Sequence, residues 1–265
     1  MSEYTFDNSY VQETERRFRS LQLIHDPKSR SIAESLGLGV GWKCLEIGGG
    51  GGSFASWLSE KVAETGKVVV TDLDPRFLKE NLKGKKNLTV LENDITKDQM
   101  PEGGPFDLIH ARLVFQHVHE PDSALKKVIS SLKKGGWLFI EDYYSSSQGE
   151  IIFGDEDTKK KFRKLRKVLL EIFRRHGLDD ELAQRLPPLF REFGLKNVGG
   201  EINASMWAGG STGCELWKAN FDQIRKQVID SGLMQESRFD EYVKIFETPG
   251  WGFSSPRMVS TWGSR

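Results

Sequence analysis

Five consecutive glycines, Gly48–Gly52, follow the run Cys44-Leu45-Glu46-Ile47, apolar but for Glu46, and lead into a helix-like segment, 53–64. Glycine loses more conformational entropy on folding than any other residue, so such a run needs a local reason. A strand, a glycine loop and a helix in that order let a ligand lie against bare backbone. In open α/β sheets that happens at the carboxyl ends of strands.

The flanking segments alternate in period. KCLEI (43–47), KVVVTD (67–72), LTVLE (88–92), FDLIHA (106–111) and WLFIED (137–142) read as strands, interleaved with helix-like 53–64, 75–82 and 121–132. The alternation predicts a parallel sheet with helices on both faces. The near-continuous apolar runs fit strands buried on both sides. Ser53 is the expected N-cap of the helix after the glycines. Upstream, residues 10–25 have helical spacing, and a second helix, 29–36, is expected after Pro27.

Past residue 150 the rhythm changes. Residues 155–178 form an amphipathic helix with Phe162, Leu165, Val168, Leu169, Ile172 and Phe173 along one stripe. A helix over 181–193 is expected to break at Pro187-Pro188. A strand over 195–207, helices near 212–231 and 237–247, and a last strand at 257–263 complete the reading.

The 265 residues carry no formal net charge, so the basic excess of a general nucleic-acid binder is missing. Cys44 and Cys214 make no disulfide framework. No apolar leader or membrane-length stretch is seen, and a cytoplasmic protein is expected.

Asp72 closes the second strand, 20 positions after Gly52. An acid there can accept both hydroxyls of a ribose. Asp74 is the alternative, and the TDLDP spacing favours Asp72. A dinucleotide loop needs G-x-G-x-x-G. Counted from Gly48 the third glycine position is Ser53, and from Gly49 it is Phe54. The run fits E-x-G-x-G-x-G instead, as Glu46, Gly48, Gly50 and Gly52. An acid just before the glycines suits a ligand with a positively charged end better than a pyrophosphate.

LEIGGGGGSFASWL, followed by VVVTDLDP and END, resembles the class I S-adenosylmethionine-dependent methyltransferases. FDLIHARLVFQHV, ALKKVISSLKKGGWLFIED, LPPLFREFGLKNVG and SPRMVSTWG are similar to a bacterial, natural-product group of small-molecule methyltransferases. The resemblance runs from about residue 20 to the end. It implies a Rossmann-like α/β three-layer sandwich with a seven-stranded, mostly parallel sheet, its last strand antiparallel, plus a helical lid. The expected organisation is a single methyltransferase domain, 1–265. Within it lie an N-terminal cap (1–40), a cofactor core (41–145), a lid (146–195) and C-terminal strands and helices (196–265).

The same resemblance implies site roles. Gly48, Gly50 and Gly52 would lie against the methionine and ribose of S-adenosylmethionine, with Glu46 near its charged end. Asp72 would bind the ribose and Leu73 pack on adenine. Asp94 would accept from the adenine amino group, with Asn93 and Ile95 beside the ring, and Ala111 and Arg112 would border the methionine tail. The product would be S-adenosylhomocysteine. An O, C or N nucleophile of a small molecule would be methylated by in-line displacement, in a monomer or homodimer without nucleic-acid or membrane partners.

Histidine is the usual base near neutral pH. His110 reads as structural; His117, in the turn after the fourth strand, is the candidate catalytic residue, with Tyr10. No carboxylate set accompanies the histidines, so no metal is expected. His119, Asp142 and Tyr144 are further base candidates. Tyr144, Trp207, Trp251 and Phe253 are candidate substrate contacts, since a sulfonium attracts aromatic faces; Tyr4, Phe6, Tyr10 and Arg17 would contribute from the N-terminal helix. Basic residues 157–175 read as a solvated face or as a lid favouring an anionic substrate. The competing readings are a non-catalytic S-adenosylmethionine-binding protein and an NAD-dependent oxidoreductase. The latter lacks the third glycine and a Tyr-x-x-x-Lys. A nucleic-acid amino methyltransferase would show N/D-P-P-Y/F where this chain has HARLVF.

Overall fold

A computed structural model describes residues 5–147 and 149–265; the candidate Tyr4 lies outside them. The chain divides into two compact units. One comprises the segments up to Ile24, Tyr144–Asp179 and Asn203–Arg257; the other comprises His25–Tyr143, Asp180–Ile202 and Met258–Arg265.

The second unit is built on a sheet of β1 (Lys43–Ile47), β2 (Lys67–Asp72), β3 (Leu88–Glu92), β4 (Phe106–Arg112), β5 (Leu132–Tyr144), β7 (Lys196–Asn203) and β10 (Arg257–Ser264), ordered β3-β2-β1-β4-β5-β10-β7. β1 pairs in parallel with β2 and β4, β2 with β3, and β4 with β5. The last strand is antiparallel. The chain reverses its order between β1 and β4, so their carboxyl ends form the switch point where a crevice opens.

Alternate strand residues enter two separate cores. Cys44, Val68, Val70, Leu108 and Phe139 pack with Ile32 and Ala33 of α1 (Val11–Ser35), Phe54 and Leu58 of α2 (Ser53–Lys61) and Leu78 of α3 (Arg76–Asn81). Leu45, Ile47, Ile109, Leu138 and Ile140 pack with Leu125 of α4 (Pro121–Ser130) and Leu186 and Phe190 of α6 (Leu182–Glu192). The unbroken apolar runs of the sequence serve both faces at once.

The first unit has an aromatic core. The stripe of α5 (Glu156–Arg175) packs against Leu216, Trp217 and Phe221 of α7 (Thr212–Asp230) and Phe239 of α8 (Glu236–Tyr242). β6 (Ile151–Phe153), β9 (Gly252–Ser254) and β8 (Met206–Ala208) form a small sheet in that order.

Four local expectations need correction. α1 is one helix containing Pro27, not two. On either side of the proline its turns are held by buried Asp26 and Ser29, which bond to Arg112 and Glu141. Pro187 and Pro188 likewise sit inside α6, whose buried Leu182, Ala183, Leu186 and Phe190 hold it across the lost amides. The strand expected over 195–207 is two strands in different sheets: Ser205 turns away, exchanging backbone–backbone and amide–hydroxyl bonds with Ser255. Gly52, in the left-handed region at φ +83°, takes the N-cap position expected of Ser53, and no side chain caps α2.

Candidate functional site

The glycine loop leaves β1 at the switch point. Gly48, Gly50 and Gly52 have φ of +69°, +53° and +83°, a sequence of turns that side chains rarely allow. The glycine between the first two is fixed by packing: a Cβ on Gly49 would lie 2.3 Å from Val70 Cγ2. A Cβ on Gly48 would lie 2.3 Å from Val114 Cγ2, in the turn after β4. The loop is therefore pressed between the ends of β2 and β4, with its backbone as its only surface.

Hydrogen bonds hold this shape. The Gly48 and Gly49 amides donate to Thr71 O at 2.8 and 3.0 Å. Asp72 Oδ2 accepts from the Gly50 amide at 2.8 Å, and Oδ1 from the Asp74 amide at 3.0 Å. Burial raises the Asp72 carboxyl above its ordinary range, while the Asp74 and Gly50 amides oppose that shift. Each oxygen keeps a second lone pair for a ligand hydroxyl. Leu73, next in the chain, is 53% exposed, an apolar side chain presented beside that acid.

Asp94 follows β3. Its Oδ1 accepts from the Thr96 amide and hydroxyl at 2.9 and 2.6 Å, and Lys97 Nζ lies 3.0 Å from Oδ2. Burial opposes ionisation, but these contacts prevail and lower its pKa. Asn93 donates through Nδ2 to Gln99 O, and Ile95 is buried in the core with Leu45 and Ile109. These bonds brace the loop after β3 from within.

The strand ends also carry charges that sequence reasoning did not connect. Glu46 Oε2 meets His110 Nδ1 at 3.0 Å; His110 Nε2 meets Glu141 Oε2 at 3.1 Å. Glu141 Oε1 accepts from Ser260 Oγ at 2.6 Å, and Oε2 from Ser29 Oγ. Arg112 donates to Asp26 Oδ1 at 2.8 Å and Ser29 Oγ at 2.9 Å. Glu46, His110, Glu141 and Asp26 are all buried. Burial opposes a charge on His110, but Glu46 and Glu141 raise its pKa to about 9. Glu141 falls to about 2 against its own burial, through His110, Arg112 and Ser260. His25, lowered to about 3 by burial and then by Arg112, shares a 2.6 Å hydrogen bond with the Tyr143 hydroxyl. The signal available in the sequence was two acids, Glu46 and Glu141, each directly after the apolar residues of a buried strand segment.

His117 ends the short 3-10 turn Phe115–His117 and is half-buried. Asp142 lies beneath that turn, facing the amides of Gln116, Val114 and Phe115, although neither of its oxygens makes a well-formed hydrogen bond. Burial raises its carboxyl well above the ordinary range. His119 is exposed, Ala111 fully buried, and Tyr144 half-buried at the end of β5.

The remaining candidates belong to the other unit. Tyr10 is 39% exposed just before α1. Arg17 lies over the Phe6 ring, 4.1 Å from its centroid. Trp207, Trp251 and Phe253 are buried in the aromatic core; Trp251 stacks on Phe253 with centroids 5.2 Å apart and donates through Nε1 to Ile245 O at 2.8 Å.

Among the described residues no helix is long and apolar enough to cross a membrane. Comparison with known proteins converges on one family. A methyltransferase of Strobilurus tenacellus, str2, is 36% identical over 128 residues, covering 44% of this chain and 44% of that protein. The ubiquinone/menaquinone biosynthesis C-methyltransferase UbiE of Haemophilus ducreyi is 30% identical over 125 residues, 45% of this chain and 48% of that protein. The chain thus spans about half the length of these curated relatives. The Pseudoalteromonas translucida UbiE is 25% identical over 205 residues, 68% of this chain and 79% of that protein. A solved S-adenosylmethionine-dependent methyltransferase of Aquifex aeolicus, 21% identical, shares the fold with a TM-score of 0.52 over 74% of this chain and 92% of that one. Residues 14–199 match the family described as the methyltransferase domain, and to that family the chain belongs.

Proposed function

We propose that the protein transfers a methyl group from S-adenosylmethionine to an O, C or N nucleophile of a small molecule. The observation that carries this reading is the loop between Glu46 and Asp72. Its glycines expose backbone where a Cβ on Gly48 or Gly49 would strike a neighbour, and its crest, at Gly50, is tied to a carboxylate with lone pairs to spare. These residues fit the cofactor. Asp72 would accept from the ribose hydroxyls, with Leu73 against adenine. Asn93, Asp94 and Ile95 would define the adenine edge. Gly48, Gly50, Gly52, Ala111 and Arg112 would border the methionine portion, and Glu46 its ammonium. When bound, S-adenosylmethionine supplies an electrophilic methyl on a sulfonium.

The chain's own part is to hold groups in place and to take up a proton. Preorganised amides and carboxylates spare the site a reorganisation cost when a ligand arrives. His117, carried by the turn after β4, is the proposed base for a hydroxyl acceptor. Tyr10 is proposed separately as an acceptor-side residue. Replacing either should lower turnover while S-adenosylhomocysteine binding persists. The relatives named as C-methyltransferases favour a small-molecule acceptor, and the zero net charge favours no nucleic-acid partner. Two buried free cysteines accord with a cytoplasmic protein, which is proposed to act as a monomer or homodimer.

Calorimetric titration with S-adenosylhomocysteine, with NAD in parallel, tests the reading. Micromolar binding of the first, lost in Asp72→Ala, supports it. Binding of NAD alone sinks it, and binding without turnover on any acceptor leaves a non-catalytic cofactor-binding protein.

A further inference from the structure

His110 lies fully buried between two carboxylates, 3.0 Å from Glu46 on one side and 3.1 Å from Glu141 on the other. A neutral imidazole has one N–H donor, and an ionised carboxylate has none. The neutral ring would therefore set a lone pair against one of the two acids. The imidazolium donates to both. The surrounding charges ask for the same state. Glu46 on β1, Glu141 on β5 and Asp26 on α1 are three carboxylates facing two guanidinium groups, Arg112 on β4 and Arg30 on α1. Of the other ionisable groups beside them, His25 has its pKa lowered to about 3, and burial pushes the Asp142 carboxyl and the Cys44 thiol upward, so that each favours its neutral form. A charged His110 brings the cluster to neutrality.

The ring also touches the far side of the glycine loop. Phe54, in the first turn of α2, lies with its centroid 4.2 Å from that of His110, and Phe139 follows at 4.8 Å. An imidazolium against aromatic faces is favourable. Glu46 stands two residues before the glycines and Phe54 two residues after them. Glu46 Oε2 is taken by His110, and its Oε1 has no hydrogen-bond partner among the described residues.

We propose that His110 is a positioning residue for cofactor binding: its imidazolium joins Glu46, before the glycine loop, to Phe54, after it, and fixes both the loop and the free Glu46 oxygen for an ammonium donor. The inference rests on reading Glu46 and this loop as the S-adenosylmethionine site. It makes cofactor affinity depend on a proton held on a residue that does not touch the cofactor.

Two measurements test it. In the free protein, nitrogen NMR of the His110 ring should show both nitrogens protonated at neutral pH. The Gly50 and Gly52 amide signals should shift with the same alkaline midpoint as the ring. A neutral His110 at neutral pH, or glycine amides that ignore its titration, overturns the proposal even where no variant folds. Calorimetry with S-adenosylhomocysteine then compares wild type, His110→Gln and Glu46→Gln from neutral to alkaline pH. At neutral pH His110→Gln should bind about tenfold more weakly. That gap should close as pH rises through about 9. The ligand's own amino group titrates equally in both proteins. If Glu46→Gln binds as wild type, the reading of Glu46 fails and the proposal with it. If Glu46→Gln weakens binding and His110→Gln does not, the proposal alone fails.

Discussion

The amide of Gly50 donates to Asp72 Oδ2 at 2.8 Å, so the acid that closes β2 also sets the crest of the loop leaving β1. One carboxylate thus shapes the loop and, in the proposed site, also receives the ribose. Asp72→Ala removes both, and S-adenosylhomocysteine affinity should fall about tenfold to a hundredfold, as for hydrogen bonds to a charged group. Asp72→Asn keeps one acceptor oxygen and should fall between. Calorimetry measures both, and equal binding by Asp72→Ala and wild type would exclude Asp72 from the site.

Gly49 packs where a methyl group has no room, 2.3 Å from Val70 Cγ2 and 3.1 Å from Leu78 Cδ2. Gly49→Ala must displace β2 or α3 and should cost about 1–3 kcal/mol. Each kcal/mol corresponds to about 2–4 °C in a chain near this size. A thermal melt decides it; an unchanged midpoint would mean that packing beneath the loop does not demand glycine there.

The strands, their order of appearance and the glycine loop were legible because period and composition act locally. Val68, Val69 and Val70 announce a strand covered on both faces whatever surrounds it. Pro27 misled for the opposite reason. The local penalty of a proline is real, but bonds from Asp26 to Arg112 and from Ser29 to Glu141 link residues more than 80 positions apart. The partners of His110 were hidden in the same way. Glu46 and Glu141 lie on different strands, and only the order β1-β4-β5 puts both beside the strand of His110. Trp251 and Phe253 were expected near substrate because a sulfonium attracts aromatic faces; in the fold they are nearly inaccessible members of the aromatic core, a placement that aromatic character alone does not distinguish.

Arg112 illustrates how a residue beside the proposed methionine tail also supports the fold. Its guanidinium is committed to Asp26 and Ser29, and its side chain is 12% exposed. Arg112→Ala leaves the buried Asp26 with only the partly exposed Arg30 as its cation and should destabilise by about 3 kcal/mol, the lower end of the cost of breaking a buried pair. In Arg112→Ala/Asp26→Ala no buried acid is left short of a cation, and Arg30 can turn to solvent, so the double variant should lose less than the sum of the two singles. Urea unfolding of the four proteins measures the coupling, and strict additivity would contradict the pairing.

The charge cluster also dictates how stability varies with pH. Glu141 titrates at about 2 in the folded chain, below its ordinary value of 4.5. Its contribution is therefore fully present above pH 4.5 and lost as pH falls through about 2. The two limits correspond to on the order of 3 kcal/mol. His110 runs the other way. Raised from 6.5 to about 9, it contributes fully below 6.5, and the contribution is lost as pH rises through 9. Together these two groups place the highest urea midpoints between the windows, with a fall on both sides; His25, lowered from 6.5 to about 3, adds to the fall on the acid side, and the raised Asp142 carboxyl opposes it. Glu141→Gln removes the acid-side term and weakens the hold on His110, so it should lower stability at neutral pH and flatten both limbs. Other carboxylates contribute to the acid limb, Asp155, Glu156 and Glu171 among them, but they are unchanged in the variant. An acid limb equally steep in Glu141→Gln and wild type would show that the buried His110–Glu141 pair does not govern it.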